Sequence, residues 1–496
     1  MNSDQFRVYG KQMVDIIADY YDNINNIPPM STVKPGYLSK LVSREVPEDP
    51  ESFEDVKSDI DTKIMPGLTH WQSGNFFGWF PSTNLFPCIL GEMYSNMFSI
   101  VAFSWVSSPA ATELEIIVMD SLGKLIGLDD RFLSVNEDGT EAKGGGVIQG
   151  SACEAQCVAM IAAQERKLMH LVSQGMDTEE AQEMRTKFVA YGSDQTHLGT
   201  QKNARIIGCR IHLVASDEHC RLTKDALEAA IVEDIRLGLI PFYVCGTFGT
   251  TNTAAIDDIP GIADVAASKD LWFHIDGAYA GSALVCPEFR PLAAGIERVD
   301  SFNFNLHKWI LVNFDCSALW VADATHLTSA LGIHREYMPR MKTETSFARD
   351  YRDWQIPLSR RFRSLKLWFV LRMYGAKGIR EHVSTHVRQA KWLEQQLLVD
   401  DRFEIVAPVV FGLVVFRIKP EALGTDVSTE EVNKANTELV KRIHKDNRIF
   451  LVGTHVKGMD VVRAAIGTAF GTDENIKFLL QVIKEVTTSI IKDKAV

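Results

Sequence analysis

"FYVCGTFGTTNTAAIDDIPGIADVAASKDLWFHIDG", residues 242–277, sets an apolar β-rich run before a helical segment and a second apolar run that ends on a carboxylate. Two strands separated by a helix can lie parallel only through a crossover, so the stretch reads as one βαβ unit of a sheet wrapped by helices. Upstream, "GGGVIQG", "FVAYGS" and "RIHLVAS" alternate with helical stretches such as "LTKDALEAAIVEDIRLG", and downstream "SFNFN" continues the series. The pattern predicts an α/β fold with a mostly parallel sheet over residues 86–365, and ligands of such sheets bind beyond the carboxyl ends of the strands.

Either side of that region the chain changes character. Residues 1–85 read as helices broken by "NIPPM" and "KPGYL", then an aromatic run, "HWQSGNFFGWFPSTNLFP" (70–87), too rich in Gly and Pro for one helix. A segment so poor at burying itself is expected to pack on a partner. Between 326 and 350, "HLTSALGIHREYMPRMKTETSFARD" is charged and lacks apolar periodicity, so a mobile loop is expected over 328–346. Residues 366–496 read as a smaller α+β domain, with strands at 411–419 and 461–467, a helix at 429–445 and a last helix after Thr472.

Composition narrows the function. The 496 residues are 46% hydrophobic and 23% charged, an ordinary globular balance. The net charge of −12 argues against nucleic acid and anionic membranes as partners. No stretch approaches the roughly 18 unbroken apolar residues of a membrane span, and the N-terminus reads as an amphipathic helix rather than a secretory signal. The eight cysteines are scattered through apolar stretches, and the pair Cys153 and Cys157 lacks a His or Cys cluster to complete a zinc site. The expected compartment is the cytoplasm, with no metal.

Three groups suggest chemistry. "GGGVIQGSACEAQ" (144–156) feeds a turn into a helix whose Ser151 and Glu154 have capping-box spacing, and such a helix start is an anion site. No Gly-Lys-Ser/Thr follows, which weighs against a nucleotide loop. Asp276 ends one apolar run, and Lys308 in "SFNFNLHKWIL" (301–311) follows another about one βαβ step on, so both can project from neighbouring strand ends. His197 follows "YGSDQ" after a further strand. Taken alone, each has a structural reading: helix cap, solvated lysine, core histidine. Together they match the needs of pyridoxal 5'-phosphate, which wants a lysine for its aldehyde, an acid for its ring nitrogen and a helix start for its phosphate.

"HIDGAYAGSALVCPEFR", "NFNLHKWILVNFDCSALW", "GGGVIQG", "YGSDQTH" and "DYRDWQIPLSRRFRSLKLW" resemble the group II pyridoxal-phosphate decarboxylases, specifically the aromatic L-amino acid decarboxylases, and the likeness runs from "MVDIIADYY" to the last helix. The resemblance implies a fold type I, transferase-like large domain with a mostly parallel seven-stranded sheet. It also implies Lys308 as the lysine binding the cofactor's aldehyde, Asp276 as the acid facing the ring nitrogen and His197 as the group stacked on the ring. Ser151, Ala152, Asn305 and His307 would surround the phosphate, with Thr250 and Ala278 lining the cofactor. Tyr337 would return a proton to the substrate carbon, although its "HREYMP" context departs from the family's Pro-Glu-Tyr-Leu. Trp71, Trp79, Phe80, Pro81, Val101 and Phe103 would enclose the substrate ring, with Trp79 standing where tyrosine is usual. Ser359, often Ser in tyrosine-type enzymes and Gly in indole-preferring ones, points to tyrosine or its 3-hydroxy derivative. The family forms homodimers with active sites at the subunit interface. Two other readings share these features: an aromatic acetaldehyde synthase, and a catalytically silent homologue that serves as a binding protein.

Overall fold

The computed structural model describes residues 1–332 and 348–494, which form two compact units. One unit comprises residues 82–390 and 407–413, and the other residues 1–81, 391–406 and 414–496.

The larger unit holds a seven-stranded sheet built from β1 (Gly145–Gln149), β2 (Phe188–Ser193), β3 (Arg210–Val214), β4 (Ile240–Thr247), β5 (Trp272–Asp276), β6 (Ser301–Asn305) and β7 (Ser317–Val321). The strand order is β1-β7-β6-β5-β4-β2-β3, and only β7 runs against its neighbours, so six carboxyl ends share one edge. Strands β1, β2, β5, β6 and β7 are buried along their whole length, because helices cover both faces. The helix Ala152–Ser173 packs over the middle of the sheet, and its Ala155, Val158 and Ala162 join Phe188, Phe242, Trp272 and Leu319 in one core. Small side chains on that helix allow the close approach. Register then aligns the strand ends: Thr247 of β4 pairs with Asp276 of β5, which pairs with Asn303 of β6. The link from β5 to β6 is a series of 3-10 turns (280–285, 287–293, 296–298) rather than the α-helix a βαβ step suggests.

The smaller unit contains β8 (Phe403–Ile405), most of β9 (Leu413–Ile418), β10 (Val452–Val456) and β11 (Met459–Ala465), ordered β10-β11-β9-β8, with the helices Thr429–Asp446 and Asp473–Lys494. Compactness assigns residues 1–81 to this unit rather than to a segment of their own. Backbone bonding gives the reason: Phe77 N–H donates to Phe450 O at 2.8 Å, Phe450 N–H to Asn75 O at 3.0 Å and Ala465 N–H to Phe77 O at 2.8 Å. The N-terminal helix, Ser3–Asn23, is capped by Asn2 and buries only Tyr21, which stacks on Phe470 at 4.7 Å. Residues 328–331 of the expected loop are the end of the helix Thr325–Leu331, and residues 333–346 lie outside the described residues. No described helix is long and apolar enough to cross a membrane.

Candidate active site

Asp276 is the last residue of β5 and is buried. Both its oxygens are held: Oδ1 accepts the Ala278 N–H at 2.8 Å, and Oδ2 accepts Gln156 Nε2–H at 2.6 Å. Gln156 is itself oriented by Thr200, whose hydroxyl donates to Gln156 Oε1 at 3.1 Å. The carboxylate therefore has a fixed plane, with its remaining lone pairs free for a cationic or N–H partner.

His197 caps the helix Leu198–Ile207, and its Nδ1 accepts the Gly199 N–H at 3.1 Å, which leaves the proton of the neutral ring on Nε2. The residue is exposed in this chain. Its pKa is lowered, first by desolvation, with the Asp276 carboxylate opposing and the Lys308 ammonium adding to the effect. All three sequence-expected groups thus share one electrostatic environment.

Beyond β6, Asn305 stands at the N-cap position, without a side-chain capping bond, of the short helix Leu306–Trp309 that carries His307 and Lys308. His307 is nearly fully buried, and burial, reinforced by Lys308, pushes its pKa down to about 3, so the ring is neutral. Its Nδ1 accepts the Cys316 N–H at 2.8 Å, which makes Nε2–H a donor. Thr83 secures this turn, with its N–H on His307 O at 2.9 Å and its hydroxyl on Val312 O at 3.2 Å. Trp309 stacks on Tyr279 at 4.9 Å and donates to His386 Nδ1 at 3.0 Å, tying the Lys308 turn to the turn after Asp276.

On the same sheet edge, Ser151 caps the helix Ala152–Ser173 by accepting the Glu154 N–H at 3.2 Å. The capping box is not closed, because Glu154 reaches back to Gly150 N–H at 2.9 Å instead of Ser151. Thr250 is buried, with its hydroxyl 3.0 Å from that of Thr253, and the Thr250–Ala255 turn holds it beyond β4.

The residues expected around the substrate fall into two sets. Trp71, Trp79, Phe80 and Pro81 lie in the smaller unit, where Trp71 stacks on the exposed Trp79 at 5.1 Å and the Arg463 guanidinium sits 5.2 Å from the buried Phe80 ring. Val101, Phe103 and Ser359 lie in the larger unit. There Ala102 N–H bonds Arg360 O at 3.1 Å, placing the 101–103 segment beside the exposed Ser359. Tyr337 lies outside the described residues. Sequence reasoning missed Gln156, Thr83 and Asp257, whose oxygens clamp Leu222 N–H and Thr247 N–H at 2.7 Å each. All eight cysteines are free, and among the described residues no group of three or more His, Cys, Asp or Glu could hold a metal.

A buried carboxylate, a lysine and a helix start on one edge of a largely parallel sheet are the groups that a pyridoxal-phosphate site calls for. The family model of the pyridoxal-dependent decarboxylase conserved domain matches residues 35–419. The chain is 43% identical to phenylacetaldehyde synthase from Arabidopsis thaliana, over 99% of this chain and 97% of that one. It is 42% identical to tyrosine decarboxylase 3 from Petroselinum crispum, over 99% and 94%. The crystal structure of Oryza sativa TDC with PLP and tryptamine superposes with a TM-score of 0.94 at 36% identity, over 99% of each chain.

The protein belongs to the pyridoxal-dependent decarboxylases. It is a carboxy-lyase whose cofactor is pyridoxal phosphate. The residues present fit that group: among the described residues the buried Asn305 Oδ1 has no hydrogen-bond partner, so nothing there holds the amide against turning its N–H groups to a phosphate, and His307, two residues on, has its Nε2–H as a donor.

Proposed function

We propose that this enzyme decarboxylates an aromatic L-amino acid, with tyrosine or its 3-hydroxy derivative preferred, and releases the arylalkylamine and carbon dioxide. The observation that carries the reading is the row of strand ends in which Asp276, Lys308 and His197 share one field. When bound, pyridoxal phosphate supplies an electron-accepting ring that lets the substrate carboxylate leave as carbon dioxide.

The protein's own groups then have separate tasks. Lys308 holds the cofactor's aldehyde carbon, and Asp276 keeps a proton on the ring nitrogen. His197 faces the ring. The Ser151 hydroxyl, the Ala152 N–H at the helix start, Asn305 and His307 Nε2–H take the phosphate, while Thr250 and Ala278 line the cofactor. Trp71, Trp79, Phe80, Pro81, Val101 and Phe103 form the aromatic wall, and the Ser359 hydroxyl meets a phenol where an indole would be crowded. Tyr337 returns a proton to the carbon that has lost its carboxylate, so the product is an amine. The working form is a cytoplasmic homodimer in which the N-terminal segment packs on the other subunit and completes the active site.

A second reading rests on the 43% identity to phenylacetaldehyde synthase: the site would serve a reaction in which dioxygen and water are consumed and the amino acid yields the aldehyde, carbon dioxide, ammonia and hydrogen peroxide. One experiment covers both. The purified protein and Tyr337→Phe are incubated with tyrosine, its 3-hydroxy derivative, phenylalanine and tryptophan, with products identified by mass and peroxide and ammonia measured. The expected result is amine without peroxide from wild type and aldehyde from the variant. Peroxide and ammonia released in step with carbon dioxide by wild type would select the aldehyde reaction, and a clear tryptophan preference would remove the argument from Ser359. Borohydride should fix a pyridoxyl group on Lys308; an adduct elsewhere or none overturns the assignment of that lysine.

A further inference from the structure

Gln156 is a polar side chain in the second turn of a core helix, 1% exposed, where an apolar residue would pack more simply. Both ends of its amide are used. The oxygen accepts from Thr200 at 3.1 Å and the nitrogen donates to Asp276 Oδ2 at 2.6 Å, so the acceptor-only carboxylate sets which end of the amide faces it and the hydroxyl anchors the other end in place. The other titratable groups in the field of this carboxylate are His197, His274, Tyr243, Cys245 and Lys308. Desolvation lowers the pKa of the two histidines and raises those of the tyrosine and the cysteine, so it disfavours the charged form of each. His274 donates instead to Asn303 Oδ1 at 2.8 Å.

We infer that Gln156 is a positioning residue for Asp276: its N–H fixes the carboxylate plane and so aims the free lone pair at the cofactor's ring nitrogen, which holds the shared proton on that nitrogen. Without it, the carboxylate can rotate out of line and holds the shared proton on the nitrogen less firmly. The ring then withdraws electrons less strongly. The inference rests on the reading that Asp276 faces that nitrogen.

The test uses holoenzyme loaded with pyridoxal phosphate labelled with nitrogen-15 in the ring, whose chemical shift reports protonation directly. Gln156→Met keeps length and volume but has no donor. The labelled resonance is expected to move part of the way toward its unprotonated position, kcat to fall about tenfold, as for one lost hydrogen bond to a charged group, and KM to stay within twofold. Thr200→Val, which leaves Gln156 in place but unoriented, should shift the resonance less and in the same direction, and it decides the matter if Gln156→Met fails to fold. Asp276→Asn is the control and should move the resonance fully. If Asp276→Asn moves it and neither other variant does, the role of Gln156 is overturned while that of Asp276 stands. If Asp276→Asn leaves it in place, the assignment of Asp276 itself falls.

Discussion

Asp257 shows how a single buried acid couples this fold to pH. Its two oxygens accept backbone N–H groups from Leu222 and Thr247, an arrangement suited to the ionised form, yet full burial pushes its pKa up to about 7. A carboxyl whose folded pKa lies above its unfolded value favours folding when protonated. Its contribution is therefore complete below about pH 4 and is lost as pH rises through about 7. In urea unfolding of the holoenzyme, the midpoint of Asp257→Asn should be less sensitive to pH between 5 and 8 than that of wild type. The variant should also lose about 1–3 kcal/mol throughout, because its amide nitrogen faces an N–H donor. An unchanged pH slope would show that Asp257 is ionised in both states.

Among elements, the turns beyond the strand ends carry the chemistry, and their geometry is strict. Gly249, just past β4, has φ +90°, and a Cβ there would lie 2.5 Å from Ala280 Cβ. Gly249→Ala should strain the backbone and push Thr250 and the Ala278 turn apart, weakening cofactor affinity about tenfold or more, as read by equilibrium dialysis. Full affinity in that variant would show that the turn yields. The strands leading into these turns were legible because covered parallel strands are near-continuous apolar runs, as in "FVAYGS" and "FYVCGT", while "SFNFN" shows its strand by alternation although every residue is buried. Strand β10 was not, since its exposure alternates residue by residue in the short "VGTHV", and β7 was not read as a strand either. Asp276 and Lys308 could be paired because Asp276 ends one strand-like run and Lys308 follows just after another. Gln156 could not, for a glutamine inside a helix gives no local sign of a carboxylate 120 residues away.

For the whole molecule, chain order and spatial grouping diverge. Residues 1–81 belong with 414–496, joined by the backbone bonds among Asn75, Phe77, Phe450 and Ala465 and by Asn475 Nδ2 on Asn75 Oδ1 at 2.8 Å. Phe450 is buried against the rings of Phe76, Trp79 and His444. Phe450→Ala should cost this unit about 3–5 kcal/mol. Amide exchange at Phe77 and Ala465 should then quicken together while β4, β5 and β6 keep their protection. Faster exchange at only one of the two amides would mean that the segments do not open as one. The punctuation of the first 85 residues showed that they lack a core of their own, but a partner in the same chain left no trace in local pattern.

That separation sets a schedule for the growing polypeptide. The ribosome releases the segment around Phe77 early, and the strand that completes its bonding follows hundreds of residues later. The aromatic cluster of residues 70–87 therefore waits unsatisfied while the cofactor-binding sheet takes shape, and it is over that interval that a nascent chain most needs shielding from its neighbours.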